Sequence, residues 1–334
     1  MVETTKKASG EKGSIMENPN RTQMQRARPW AVPAMLFLLL VTSACFRNAP
    51  TKDADGQRTF ASPEQAVEAL AEACRADDSE ALVAIMGEQY RNVLVSSDPS
   101  ADRQGRAKFA AFVEEKLSIE PMEGGELEIV VGNHEWPAPI PLVEEQGRWH
   151  FDSPTGVEEM INRQVGRNEL DAIELLHALV DAQHLYAKND WDGDECFEFS
   201  QRFFSREGTH DGLYWSHDSD HGAPESPLAS FAVGERDYAD GREGGDPWRG
   251  YRWKVLTAQG PNAPGGARSY LDGKNLTEGF AAIAVPADYG NSGIMTFLAG
   301  QDGTIYERDL GEDSLDRGFE ITTFDPDGSW TVVD

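Results

Sequence analysis

The stretch "GRWHFDSPTGVEEMINRQVGRNELDAIELLHALVDAQHLYA", Gly147 to Ala187, changes its period part-way along. Up to Phe151 it reads as a strand with a turn near Gly147. Beyond Ser153 it is mostly helical. Leu170, Ile173, Leu176, Val180 and Ala187 keep helical spacing, with Leu175, Leu179 and Tyr186 beside them. An apolar face that wide sets the helix against a sheet. Gly166 is the position at which the helix is expected to break into two pieces.

Upstream, "SPEQAVEALAEACRADD" opens with Ser62 as N-cap, Pro63 at the first helical position and Gln65 three residues on. Val67, Leu70, Ala71 and Cys74 then share one helix face. "SEALVAIMG" gives a second short helix, capped by Ser79 and stopped by Gly87. Phe109, Phe112, Val113 and Lys116 to Leu117 outline a third. After that the period falls to two. "ELEIVVG" puts Leu127, Ile129 and Val131 on one face, and "PIPLVEEQGRWHFD" reads as two strands. Pro137, Pro139 and Pro141 indicate an edge or irregular strand. Trp136, Trp149 and Phe151 either line a ligand pocket or fill the core of a small domain, the second being commoner.

Downstream of the long helix comes a long loop region, then strands. "YRWKVLTAQG" alternates through Tyr251, Trp253 and Val255, "GFAAIAVPADYG" and "GIMTFLAG" follow, and "QDGT" is a tight turn into "IYERDLG". The fold class is therefore α+β. Helices and an antiparallel sheet occupy residues 60–152, and a long helix packed on an antiparallel meander occupies 153–334. A chain of 334 residues has room for two such domains.

The N-terminus is different in kind. Residues before Cys45 carry six Lys and Arg against three Glu, opposite in sign to the rest. Trp30 to Ala44 is then nearly all apolar, about 15 residues where a bilayer span needs roughly 20. That length suits a signal peptide over residues 1–44, and the compact basic start "MQRARPW" makes Met16 or Met24 alternative initiators. The run ends "VTSAC", which resembles the lipobox of bacterial lipoproteins, although leucine is more usual where Thr42 stands. In that family the cysteine thiol is alkylated by diacylglycerol, the chain is cut before it, and the new amine is acylated. The resemblance implies lipid attachment at Cys45 and a stable membrane anchor. Phe46 stands where aspartate would resemble an inner-membrane retention signal. In a host with two membranes the expected address is therefore the outer membrane, facing the periplasm or the cell surface. Residues 45–59 read as a tether. An exported compartment permits disulfides. With Cys45 lipidated, Cys74 and Cys196 either pair or, more commonly, stay as partly buried thiols.

Helices followed by a sheet ending in "GRWHFD" resemble the cone-shaped α+β fold of nuclear transport factor 2. The phrases "GRNELDAIELLHALVDAQHLYA", "DGLYW", "SPLASFA", "GYRWKVLTAQGPNAPGGARSY", "GFAAIAVPADYGNSGIMTF" and "GTIYERDLG", with "WPAPIPLV" and "WHFD", resemble the bacterial family labelled domain of unknown function 2950 over about 60–334. That resemblance implies an exported protein with no settled activity. "NELDAIELLHALVDAQHLYA" and "FAAIAVPADYGNSGIMTFLAGQDGTIY" also resemble the soluble heads of type IV pilin-like proteins. Pilins carry a hydrophobic helix in front of this unit. Here an acidic stretch and another domain precede it.

Charge excludes one class of function. The chain carries 30 Lys and Arg against 58 Asp and Glu, a net of −28, and cleavage before Cys45 leaves a body at −31. No basic stripe exists to neutralise phosphates, so nucleic acid is not an expected partner. No G-x-S-x-G, H-E-x-x-H, Walker A or G-x-G-x-x-G pattern occurs. "QGPNAPGG" reads as a rigid surface turn. His177 and His184 share a helix face but stand about 10.5 Å apart in rise, too far for one zinc ion.

Two loops hold the remaining chemistry. "NDWDGDECFEF" alternates Asp190, Asp192 and Asp194 as calcium ligands do, with Glu195 closing a partial site, although Glu195 and Gln201 stand where an EF-hand has glycine and glutamate. The other reading is an acidic helix-ending turn. "THDGLYWSHDSDHG" offers His217 and His221 as zinc ligands if helical, or a solvated loop anchored by Tyr214 and Trp215. No cofactor is expected, with calcium the one that the acidic loop leaves open. The leading expectation is a non-enzymatic exported lipoprotein, an envelope scaffold or binding module with an envelope protein as partner. The alternatives are an envelope hydrolase or metal-dependent enzyme using His210, Asp211, His217 and the acidic loop at 190–195, and an accessory of a pilus or secretion system.

Overall fold

A computed structural model describes residues 51–53, 56–191, 193, 195–215, 224–229 and 245–333. Within it the chain begins with a hairpin. β1 (Thr51–Lys52) pairs antiparallel with β2 (Arg58–Thr59). The Asp53 carboxylate accepts the Gln57 N–H at 2.8 Å, and Gly56, at φ +86°, makes the bend that a Cβ would strain. Buried Gln57 donates from Nε2 to the Phe151 carbonyl (2.9 Å) and the Ser153 hydroxyl (3.0 Å). Phe60 and Trp149 exchange two backbone hydrogen bonds at 2.7 and 2.9 Å. Half of the expected tether is thus folded onto the body, leaving Phe46–Pro50 between Cys45 and the first strand.

α1 (Pro63–Arg75) starts with the Ser62 cap its sequence predicts, while the Gln65 side chain reaches one residue further back, to Ala61. Ser62 Oγ accepts the Gln65 N–H, and Gln65 Oε1 accepts the Ala61 N–H. α2 (Ser79–Met86) is capped by Asp78 rather than Ser79, since the Asp78 carboxylate accepts the Ala81 N–H. α3 (Arg91–Leu94) is one turn. α4 (Pro99–Glu115), capped by Asp98, is longer than the aromatic spacing outlined. It ends before Lys116 and Leu117, which the spacing assigns to the helix, and Leu117 instead opens β3 (Leu117–Pro121).

β3, β4 (Leu127–Val131), β6 (Leu142–Glu145) and β7 (Arg148–Phe151) line up in that order, with β5 (Trp136–Pro137) beside β4. Ile129, Val131, Leu142 and Phe151 meet Val67, Leu70, Ile85 and Met86 to form a first core.

α5 (Ser153–Tyr186) runs unbroken for 34 residues. Gly166 does not break it. A single helical glycine costs about 1 kcal/mol against alanine, less than the packing at the two ends supplies. Gly156 matters more, because a Cβ there would lie 2.5 Å from the Ile140 side chain. The helix therefore presses directly on the first core at one end. At the other end Ala172, Leu175, Leu176, Leu179, Ala182, Gln183 and Tyr186 face the second core. Leu170, expected in the apolar stripe, is 69% exposed. Leu175, Leu176, Leu179, Val180 and Tyr186 are buried as the spacing predicts, and the buried face also takes in Ala172, Ala182 and Gln183, small and polar residues that hydrophobic spacing does not reveal.

The second sheet is an antiparallel meander of β8 (Tyr251–Leu256), β13 (Ala281–Pro286), β14 (Met295–Gly300), β15 (Ile305–Asp309) and β16 (Thr331–Val332). Between β8 and β13 lie two small ribbons, β9 (Ala258–Gln259) with β10 (Arg268–Ser269), and β11 (Leu271–Asp272) with β12 (Asn275–Leu276). β13 is buried along its whole length, as a central strand should be. α6 (Ser314–Glu320) packs on it where Gly318 meets Val285. From the α5 side, the Glu169 carboxylate accepts the backbone N–H groups of Ile294 and Met295. Residues 48–334 form one compact unit containing both cores.

Candidate functional site

The structure brings together the two loops that the sequence singled out. Trp191, in the acidic loop after α5, packs against His210 (ring centroids 5.7 Å apart) and Trp215 (4.9 Å), both in the second loop. His210 lies 4.6 Å from Trp215, and the Tyr186 hydroxyl donates to the His210 carbonyl at 3.0 Å. Trp191 Nε1 donates to the Tyr186 carbonyl, so the end of α5 is the post to which both loops are tied. The tryptophan inside "NDWDGDE" was the one signal in the sequence for this meeting.

Within the acidic loop, the Asp190 carboxylate accepts the N–H of Gly193 from one oxygen (2.8 Å) and of Glu195 from the other (2.9 Å). Glu195 takes φ +64° to allow it. Asp192 and Asp194, the other two calcium candidates, and His217 and His221, the zinc candidates, lie outside the described residues, as does Cys45. Among the described residues no group of three or more His, Cys, Asp or Glu is placed to hold a metal ion.

Asp211 is tied into its own loop. It accepts from the Arg206 N–H (2.9 Å), Arg206 Nε (2.6 Å) and Thr209 Oγ1 (2.6 Å), and Arg202 stands 3.3 Å away. Burial alone would raise its pKa, but these hydrogen bonds and the Arg206 charge outweigh burial and lower it. A carboxyl held ionised in this way is suited to fixing a loop rather than to donating a proton. His184 sets its ring edge-on against Phe199 and Phe280, and His177 is exposed.

Side chains that sequence reasoning passed over do comparable work. Fully buried Gln183 pairs with the Ser200 backbone, donating to its carbonyl and accepting from its N–H at 2.8 Å each. Gln259 Nε2 donates to the carbonyls of Pro264 and Gly266, and Asp325 accepts from the Asn262 N–H. The "QGPNAPGG" loop is thus a fastened surface turn, as expected. Cys74, buried in the first core, and Cys196 are unbridged, and burial pushes the Cys74 thiol up to about 11.

Two surface grooves lie among the described residues. One, of about 420 Å³, lies beside the first turns of α5 and is lined by Glu126, Glu128, Glu158, Glu159 and Arg163 among others. Its single cation is engaged, since Arg163 bonds Glu159 at 2.7 Å and the Pro137 carbonyl at 2.9 Å. The three aromatics expected either to line a pocket or to fill the core are not in it. Phe151 is buried, Trp149 is half-buried against the first core, and Trp136 is 56% exposed. The second groove, about 280 Å³, runs along β8 past Phe203, Trp253, Lys254 and Phe319. There Lys254 Nζ donates to the Phe319 carbonyl at 2.6 Å, and burial lowers its pKa.

A family model described as "Protein of unknown function (DUF2950)" matches residues 57–333. The chain belongs to that family. The DUF2950 match starts at Gln57, the residue that fastens the hairpin, and ends at Val333, whose N–H bonds the Ile305 carbonyl. It therefore takes in both cores and the shared helix. No curated protein and no solved structure matches the chain. Among the described residues no helix is long and apolar enough to cross a membrane.

Proposed function

We propose that this DUF2950 protein is an exported lipoprotein, anchored through acylated Cys45, whose body acts as a non-enzymatic scaffold or binding module of the cell envelope. The observation that carries the anchor is the sequence itself: a basic start, a short apolar run, then "VTSAC". The loop geometry supports a structural rather than a catalytic body. Asp190, Asp211, Gln183 and Gln259, the polar groups at the loop junction and in the surface turn, are engaged by their own backbone. The finer fold readings belong to this proposal too. Helices ahead of a sheet support the nuclear transport factor 2 likeness, and a long helix followed by a meander supports the pilin-head likeness. Cys45→Ser should move the protein from the membrane pellet to the soluble exported fraction. Persistent membrane association of that variant would contradict the anchor.

A second reading rests on the alternating carboxylates of the loop at 190–195. In it Asp190, Asp192, Asp194 and Glu195 bind calcium. Calorimetric titration of the mature protein with calcium tests this, and the absence of heat at millimolar metal removes it.

A further inference from the structure

The hairpin and the position of Cys45 together orient the body. Only Phe46–Pro50 separate the acylation site from Thr51. Six residue steps span at most roughly 20 Å. A compact unit of this length is on the order of 50 Å across. A link much shorter than the body cannot let an arbitrary face approach the bilayer, so what matters is how firmly its far end is fixed.

That end is firmly fixed. Thr51 and Lys52 pair with Thr59 and Arg58, and the Thr51 and Thr59 hydroxyls lie 2.8 Å apart. Arg148, on β7, donates from Nε to Thr59 Oγ1 at 2.7 Å and from Nη2 to the Thr59 carbonyl at 2.8 Å. Gln57 adds its two bonds to Phe151 and Ser153, at the junction of β7 and α5. The hairpin cannot peel away without breaking this set. Its charge also differs from that of the whole. Over residues 51–59 Lys52 and Arg58 balance Asp53 and Asp55, so the hairpin is neutral within a strongly acidic body. A neutral end is repelled less by anionic headgroups than the acidic remainder of the body is.

We infer that the β1–β2 hairpin is the membrane-facing end of the molecule, held against lipid headgroups by the short link to Cys45. This rests on the lipoprotein reading and adds an orientation to it. The far end of α5 lies about 50 Å along the helix from Ser153, which Gln57 ties to the hairpin, so the Trp191 loop junction is remote from the hairpin.

The test uses the full-length acylated protein in vesicles of phosphatidylethanolamine and phosphatidylglycerol doped with a headgroup-nitroxide lipid. In a Cys196→Ser background, Lys52→Cys and Lys188→Cys, both exposed positions, carry a fluorophore. Quenching should be stronger at position 52 than at 188. Inserting a Gly/Ser spacer of about 20 residues after Arg47, which adds roughly 25 Å of r.m.s. reach, should lower the quenching at 52 about twofold while flotation with vesicles persists. Equal quenching at the two positions, or no effect of the spacer, overturns the orientation. Protein that fails to float with vesicles at all sinks the lipid anchor instead, so the two failures are distinct.

Discussion

The two cores of this molecule differ in what fills them. The first is largely aliphatic: Val67, Leu70, Ile85, Met86 and Leu142 surround Phe60 and Phe151. The second is crowded with rings, and Trp248, Tyr251, Tyr270, Phe280 and Phe297 are among its largest buried side chains. In the first core regular elements each supply one face, so short aliphatic side chains are enough to meet. In the second, irregular segments such as 199–215 must reach the sheet, and long flat side chains cover that distance. Phe203 reaches Trp253 at 5.3 Å and Trp248 at 5.4 Å from just such a segment. This segment is held by ring packing and by the buried Gln183 amide, together with a few backbone bonds such as that from the Ser205 N–H to the Tyr214 carbonyl.

The largest effect should come from the aromatic side. Trp248→Ala empties a fully buried site ringed by Phe203, Phe204 and Tyr214, and should cost about 3–5 kcal/mol in chemical denaturation. Leu142→Ala, fully buried in the first core, should cost about 2–5 kcal/mol. Because α5 belongs to both cores, each change should shift one shared unfolding transition. Two separate transitions, each sensitive to one substitution, would break the comparison in its present form. Gln183→Ala should cost about 1–3 kcal/mol, since it orphans both the N–H and the carbonyl of Ser200. Protection of the 199–205 amides in hydrogen exchange should fall with it. The smallest effect is expected at Leu170→Asn, within about 0.5 kcal/mol, because that leucine faces solvent.

This contrast also explains what could be read without coordinates. The Ser62 cap, the helix it opens and the meander of the second sheet follow from period and capping chemistry and stand where the spacing puts them, whereas α2 is capped by Asp78 and α4 begins at Pro99, ahead of the aromatic spacing. Leu170 misled because the buried row of α5 runs through Ala172 and Gln183, which carry little hydrophobic signal. β3 was lost because Leu117 continues the helical spacing of α4, and only the pairing of Leu117 with Val131 reveals a strand. At the candidate site, Asp190 and Asp211 were recognised as chemically notable. Their employment by nearby backbone was not legible, since residues in a turn contact one another through geometry that spacing alone does not encode. The hairpin escaped notice for the same reason. Two-residue strands have no period, and Gln57 gives no sign in the sequence that it is buried.

The central claim is that Cys45 becomes the acylated amino terminus of an exported body. Intact-mass and tryptic mass spectrometry of protein extracted from the native membrane addresses it most directly. The account predicts a mature chain beginning at Cys45, heavier than its sequence by a diacylglyceryl group and an amide-linked acyl chain, with residues 1–44 gone. An uncut precursor, or a free Cys45 thiol on a cytosolic product, would contradict it.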